Sequence, residues 1–404
     1  MSYRSLAVLS VLAALVGLVV LQFPLPVPAP PPAPREPALL WAFEPPHAAG
    51  FVATPTVTDD AVYLTAVRHS GLRFTGAVYC VDLATGQQRW RFDDDGDMRA
   101  SASAPTLAGG RLFVGDGMHA DAPCRVYCLD PNTGQKLWEH ETEDHVESTP
   151  AVHFDQVFVG VGNGGLVALD VFTGDLKWRF APDLHVDATP WAEGGQVFVG
   201  SGPSRKFKRC EIAAVDDRTG QPVWRTPTDL PAWGSPRVAN GRLFAGLGNG
   251  RLTEPARPPE TPAGAILCLE AATGDELWRV RTPDAVFQRP TVADGNVYAG
   301  CRDGTLYAVR ADTGAEVFRV AMGSAVIAPP AVADGRLFAV SMSGMLKCLS
   351  ATDGQEVWRY DLAARTKMTP VVTAGPVVRG GRLYLAGELQ AAGSGQAVLL
   401  CLRP

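Results

Sequence analysis

Two short stretches of this chain bring together residue types that do chemistry. HVESTP covers residues 145–150 and HVDATP covers 185–190, and each places a histidine two residues before a carboxylate. In extended backbone, residues two apart point to the same side. If the two stretches lie side by side, His145, Glu147, His185 and Asp187 converge as two nitrogen and two oxygen ligands, a set suited to zinc or another divalent ion. The plainer expectation is a duplicated segment whose polar residues merely line a wet channel. Trp233 holds the position of Glu147 and Asp187 in the next such segment, and Lys367 holds it in the last. An aromatic ring beside charged groups can stack a planar ligand, so Trp233 and Lys367 enter as candidate cofactor-binding residues.

Three other stretches carry less. The run Asp93-Asp94-Asp95-Gly96-Asp97 lacks the glutamate that completes a calcium loop and is expected to be a solvated turn. The basic loop Arg205-Lys206-Phe207-Lys208-Arg209 is read as a solvated hairpin able to meet an acidic partner or lipid headgroup. Gly160, Gly162 and Gly165 imitate a nucleotide fingerprint but join two strands and open no helix, so that match is rejected. No nucleophile is paired with a base, and no catalytic residue is assigned.

The elements that must position these residues are legible as a repeat. Seven fifteen-residue segments align without gaps, from GAVYCVDLATGQQRW (76–90) to GMLKCLSATDGQEVW (344–358). Each is an alternating apolar strand, a polar turn with glycine, and a strand carrying an aromatic residue. Two further strands precede each segment, the first beginning near a proline, as at Thr149-Pro150, Thr189-Pro190 and Thr369-Pro370. Four short antiparallel strands in ~40 residues make a propeller blade. The eighth unit has its third strand at 397–402 and no fourth, and Leu39 to Glu44 supplies it. The fold expected is therefore all-β: an eight-bladed β-propeller of four-stranded antiparallel blades, its ring closed by an N-terminal strand that completes the last blade. Trp41, Trp90, Trp138, Trp178, Trp224, Trp278, Phe318 and Trp358 form one column, expected to pack between blades.

The pattern D-x-x-T-G-x-x-x-W after a short apolar strand resembles the pyrroloquinoline-quinone (PQQ) repeat family, over residues 39 to 402. That family includes quinone-dependent alcohol dehydrogenases and also non-catalytic outer-membrane assembly factors. The resemblance implies a propeller and leaves activity open, because fold does not dictate function. An adjacent cysteine pair, frequent near the cofactor of the dehydrogenases, is missing from this sequence.

Composition bounds the rest. Hydrophobic residues are 46%, charged residues 19% and the net charge −6, which excludes a disordered polyelectrolyte and argues against nucleic-acid binding. Leu6 to Phe23 is an apolar stretch preceded by Arg4, expected to be an uncleaved signal anchor (residues 1–23) with the remainder exported. Residues 24–37 are a proline-rich spacer, and 38–404 the propeller. Five of the eight cysteines (Cys80, Cys128, Cys268, Cys348, Cys401) share a column with alanine, so mostly buried free thiols are expected, in tension with an oxidising compartment. The function expected is a monomeric, non-catalytic scaffold of the cell envelope, its loop face binding a protein or polymer partner and its N-terminal helix in the membrane. No cofactor is expected. The alternative is a PQQ-dependent dehydrogenase, with quinone and calcium or another divalent metal in the channel and Asp187 or Glu147 as base.

Overall fold

Eight times along the chain, alternating apolar residues and turn residues build one antiparallel meander. The computed structural model describes residues 36–404 apart from 71–72, 119–120, 250–263 and 392–393. The expected anchor, most of the proline-rich spacer and residues 250–263 lie outside the described residues. Among those described, no helix is long and apolar enough to cross a membrane.

The described strands form eight sheets, six of four strands and two of five. Ala38–Phe43 pairs with Ser394–Arg403, with Leu39 opposite Leu402, Trp41 opposite Cys401 and Phe43 opposite Leu399. The ring is thus closed by the N-terminal strand, as the repeat count requires. The first and eighth blades carry the extra strands, Ala48–Gly50 and Thr369–Val371.

One rung explains the repeat. Within each blade the third strand presents alanine or cysteine, flanked by an aromatic from the second strand and one from the fourth. In the second blade Phe113 faces Cys128, which faces Trp138; in the third, Phe158, Ala168 and Trp178 do the same. Only a small residue lets the outer rings meet across it, with centroids 5.8 and 5.7 Å apart in these two blades. All eight cysteines are free thiols, and seven are buried.

The fourth-strand tryptophan then docks on the next blade. Trp138 lies against Gly174, where an added Cβ would meet its Cε3 at 2.6 Å, and its indole N–H donates to Val171 O at 3.1 Å. Gly174 also holds φ +77°, so the turn demands glycine on two counts. The blade-six aromatic is Phe318, which has no N–H, and Tyr298 OH takes over by donating to Ala351 O at 2.8 Å. Trp358 Nε1 is buried without a partner, because the seam between Arg403 and Ala38 stands where the eighth blade's turn would be. The core accordingly lies between blades: Phe113, Val126, Cys128 and Trp138 of the second pack on Val157, Val159, Val167 and Leu169 of the third.

One reading of the repeat needs correction. Pro370 does not open the innermost strand of blade eight. Asp361 caps a short helix, α1 (Leu362–Thr366), accepting from Ala364 N at 3.1 Å. The strand that follows, Thr369–Val371, pairs with 388–390 at the outer end of its neighbour. The innermost strand is Val377–Arg379, after Gly375-Pro376, and Gly375 N donates to Thr54 Oγ1 of blade one. Three residues before the proline, Thr373 therefore takes the position given to Lys367, which caps α1 in left-handed conformation (φ +57°) and is exposed.

Candidate functional site at the channel mouth

The innermost strands line the central channel and are stitched by short polar side chains. Ala104 N donates to Thr149 Oγ1, Thr149 N to Thr189 Oγ1 and Thr189 N to Ser235 Oγ. Just before this ring, 145–147 and 185–187 run as extended entry segments. Val146 and Val186 are fully buried between blades, which turns the residues on either side of each toward the channel. Backbone bonds fix both segments: Val146 N to Asp116 O, and Val186 N to Gly162 O.

Three of the four anticipated ligands meet. His145 Nε2 lies 3.0 Å from Asp187 Oδ1, and His185 Nε2 lies 2.8 Å from Asp187 Oδ2. The ligand atoms of His145, His185 and Asp187 all fall within 4.8 Å of one another. Both imidazoles are buried, and the Asp187 side chain is 18% exposed. Glu147, half-buried, stands outside this trio and acts on it through its charge. Burial alone would depress the His145 pKa. The Asp187 hydrogen bond and the charges of Asp187, Glu147 and Asp144 outweigh burial and bring it up to about 9. Burial likewise opposes ionisation of Asp187, but its two histidine partners hold the carboxyl well below the usual carboxylate range.

Asp144 was missed in the sequence, where it is adjacent to His145 rather than two residues away. Its Oδ1 lies 2.8 Å from His145 Nδ1, while its Oδ2 accepts from Asn163 N and Nδ2 at 3.0 and 2.6 Å. Ser204 Oγ in turn donates to Asn163 Oδ1 at 2.7 Å. Gly162 makes room for this, since a Cβ there would lie 2.9 Å from Asp144 Cγ.

Trp233 stands edge-on to His185, centroids 5.9 Å apart at 89°, with Gly202 against its other atoms. Beyond it the mouth turns apolar: Trp233 packs with Phe287 and Ile327. Both lie three residues before their blade's proline, the register of Glu147 and Asp187, so the signal was present but resembled ordinary core. Deeper in, Arg237 and Arg289 stack on Trp191, guanidinium to ring centroid 4.2 and 5.2 Å. The acidic run 93–97 is a turn tethered by cations: Asp93 binds Arg68 (3.2 Å) and Arg91, and Asp94 binds Arg125 (3.5 Å) and Lys136 (2.5 Å). In the basic loop, Arg209 reaches Asp183 at 2.7 Å and Lys208 Nζ donates to Ser204 O.

This fold and register define an eight-bladed propeller of PQQ-like repeats. A family profile described as outer membrane protein assembly factor BamB matches residues 122–206, 208–314 and 302–398, and the chain belongs to that family. No curated protein sequence matches. Among solved structures, BamB from Moraxella catarrhalis is similar at 18% identity and TM-score 0.64, covering 90% of this chain and 98% of that one. Quinohemoprotein alcohol dehydrogenase ADHIIG from Pseudomonas putida HK5 is similar at 16% identity and TM-score 0.68, over 91% of this chain and 76% of that one. A europium-containing methanol dehydrogenase is similar at 14% and 0.67, over 91% and 93%. At such identities these structures speak for the fold alone.

Proposed function

We propose that this chain is a non-catalytic cell-envelope scaffold, its propeller extracytoplasmic, held to the membrane by residues 1–23, and presenting its loop face to a protein partner in outer-membrane protein assembly. The observation that carries this reading is the match to the assembly-factor family across most of the blades. A cleft of ≈ 670 Å³ between the first two blades, lined by Phe74, Met98, Arg99, Met118, Pro123 and Arg125, supports it. Phe74 is 59% exposed, the kind of apolar anchor a partner covers.

The similarity to quinone dehydrogenases motivates a second reading, but the channel residues do not fit a quinone. Two imidazoles and one carboxylate form a nitrogen-rich set, poorly matched to the oxygen ligands calcium takes. Asp187 is bound by two histidines and strongly acidic, which makes it a weak base. The indoles of Trp191 and Trp233 already carry guanidinium or backbone neighbours.

The test has two arms. In a host with an outer membrane, deletion of the gene lowers the amount of folded outer-membrane proteins, and the full chain restores it while a Phe74→Asp variant that still folds does not. The purified full chain, titrated with PQQ and calcium and assayed for dye reduction with alcohols, shows neither saturable binding nor turnover. Quinone-dependent turnover together with unchanged outer-membrane proteins would overturn the scaffold reading.

A further inference from the structure

We propose that His145, His185 and Asp187 form a zinc-type divalent metal site at the channel mouth, held by two neighbouring blades. The donor set is chemically specific. Two neutral imidazole nitrogens and a carboxylate oxygen are the ligands of open zinc sites, which leave a fourth position to water or to a group from outside. Zinc-ligand bonds of ~2.0–2.2 Å place ligand atoms ~3.2–3.5 Å apart. Here the carboxylate oxygens already sit 3.0 and 2.8 Å from the two imidazole nitrogens, so the ion takes the place of the protons now shared between them. All three ligand atoms lie within 4.8 Å of one another, so the widest gap closes by up to ~1.5 Å when the ion binds.

The supporting residues have the arrangement that metal-binding histidines use. Asp144 holds His145 Nδ1 at 2.8 Å, which fixes the ring and aims Nε2 at Asp187. Asn163 and Ser204 hold Asp144 in their turn. A polar cluster that merely solvated the channel would need no such chain of half-buried bonds. His185 differs: its Nδ1 is buried without a hydrogen-bond partner, so no group fixes this ring from behind. The protein thus leaves this ring half-satisfied, and a strong bond at Nε2 offsets that cost. Oxygen-preferring calcium or magnesium suits the trio poorly. Trp233 lies beside His185, ring centroids 5.9 Å apart, so a group bound at the site has an aromatic neighbour.

The experiment uses the full chain, stripped with EDTA. Zinc chloride is titrated against a chromophoric chelator, and cobalt(II) chloride is followed by visible absorption. One equivalent binds with a dissociation constant of about 10 µM or tighter, and cobalt gives the intense bands of a four-coordinate ion. His185→Ala and Asp187→Asn each weaken zinc by about 100-fold or more. Asp144→Asn, a positioning change, weakens it by ~10–100-fold and alters the cobalt bands while one equivalent still binds. His47→Asn, at an exposed histidine of positive φ, changes nothing. Wild-type protein that shows no saturable zinc binding by about 100 µM overturns the proposal without reference to any variant. So does an equivalent that survives both His185→Ala and Asp187→Asn.

Discussion

The blades themselves contain the control for a mutational cycle at the interblade rung. Trp138→Phe removes the indole N–H that Val171 O accepts at 3.1 Å, in the buried contact between blades two and three. An unsatisfied buried acceptor costs about 1–3 kcal/mol, and the smaller ring adds about 1 kcal/mol of lost packing. Three natural combinations predict what restores it. Blade two has Phe113 with Trp138 and one donor. Blade one has Tyr63 with Trp90, and both donate to Pro131 O, at 3.2 and 2.9 Å. Blade six has Tyr298 with Phe318, and the tyrosine alone donates. Phe113→Tyr by itself is therefore within about 1 kcal/mol of neutral, as the blade-one pair shows a carbonyl accepting twice. Combined with Trp138→Phe it rebuilds the blade-six pair, and the double variant recovers about 1–2 kcal/mol of the single variant's loss. The assay is equilibrium denaturation midpoint, because in a chain this large one kcal/mol moves Tm by only ~1–2 °C. The reasoning is refuted if the double variant is as unstable as the sum of the singles, or if Phe113→Tyr alone costs more than about 2 kcal/mol.

Three further outcomes are expected. Gly174→Ala, at φ +77° and 2.6 Å from Trp138, destabilises by about 3 kcal/mol or more, whereas Gly194→Ala, at φ +64° with open space around it, costs about 1 kcal/mol; paired denaturation curves compare them. A colorimetric thiol reagent at pH 8 titrates at most the half-buried Cys210 in the folded protein and all eight thiols once unfolded, since burial pushes Cys80 and Cys128 up to about 11 and Cys124, Cys268 and Cys301 up to about 12. In the metal-free protein, nuclear magnetic resonance finds His145 protonated until about pH 9, because Asp187, Glu147 and Asp144 outweigh its burial. Because that pKa is raised above the unfolded value, its stabilisation is fully present below ~6.5 and is lost as pH rises through about 9, so the denaturation midpoint falls between pH 7 and pH 10. An imidazole titrating near 6.5 would contradict this.

What the sequence disclosed follows from the kind of signal each feature leaves. The ring, its count and its seam were legible because Leu39 to Glu44 completes a repeat that recurs through the chain, and tertiary packing adds nothing the repeat lacks. The convergence of His145, His185 and Asp187 was legible for the same reason, equal register in neighbouring blades. Asp144 escaped because it is the immediate neighbour of His145, outside the two-residue spacing that marks the histidine–carboxylate pairs, and only the folded entry segment brings its carboxylate onto His145 Nδ1. Lys367 was misplaced because a proline served as the strand marker. The cap at Asp361 starts a helix turn that displaces the register by six residues, from Pro370 to Pro376. Phe287 and Ile327 were hidden because an apolar residue beside a channel and one inside a core look alike in one dimension.

The pairing of Ala38–Phe43 with Ser394–Arg403 has a consequence for biogenesis. Synthesis is vectorial, so Ala38–Phe43, made early, waits for Ser394–Arg403 before it finds a partner. Until then LLWAF is an apolar ribbon with an unpaired edge, the sort of segment that aggregates. The clasp can shut only once Ser394–Arg403 has been made, after the entropic cost of closing the long loop between the two strands. Loss of residues 395–404 would accordingly do more than its length implies: it removes the partner of Ala38–Phe43 and one of the two paired edges of Arg382–Ala391, and leaves a nascent chain for chaperones or proteases instead of a ring with a small notch.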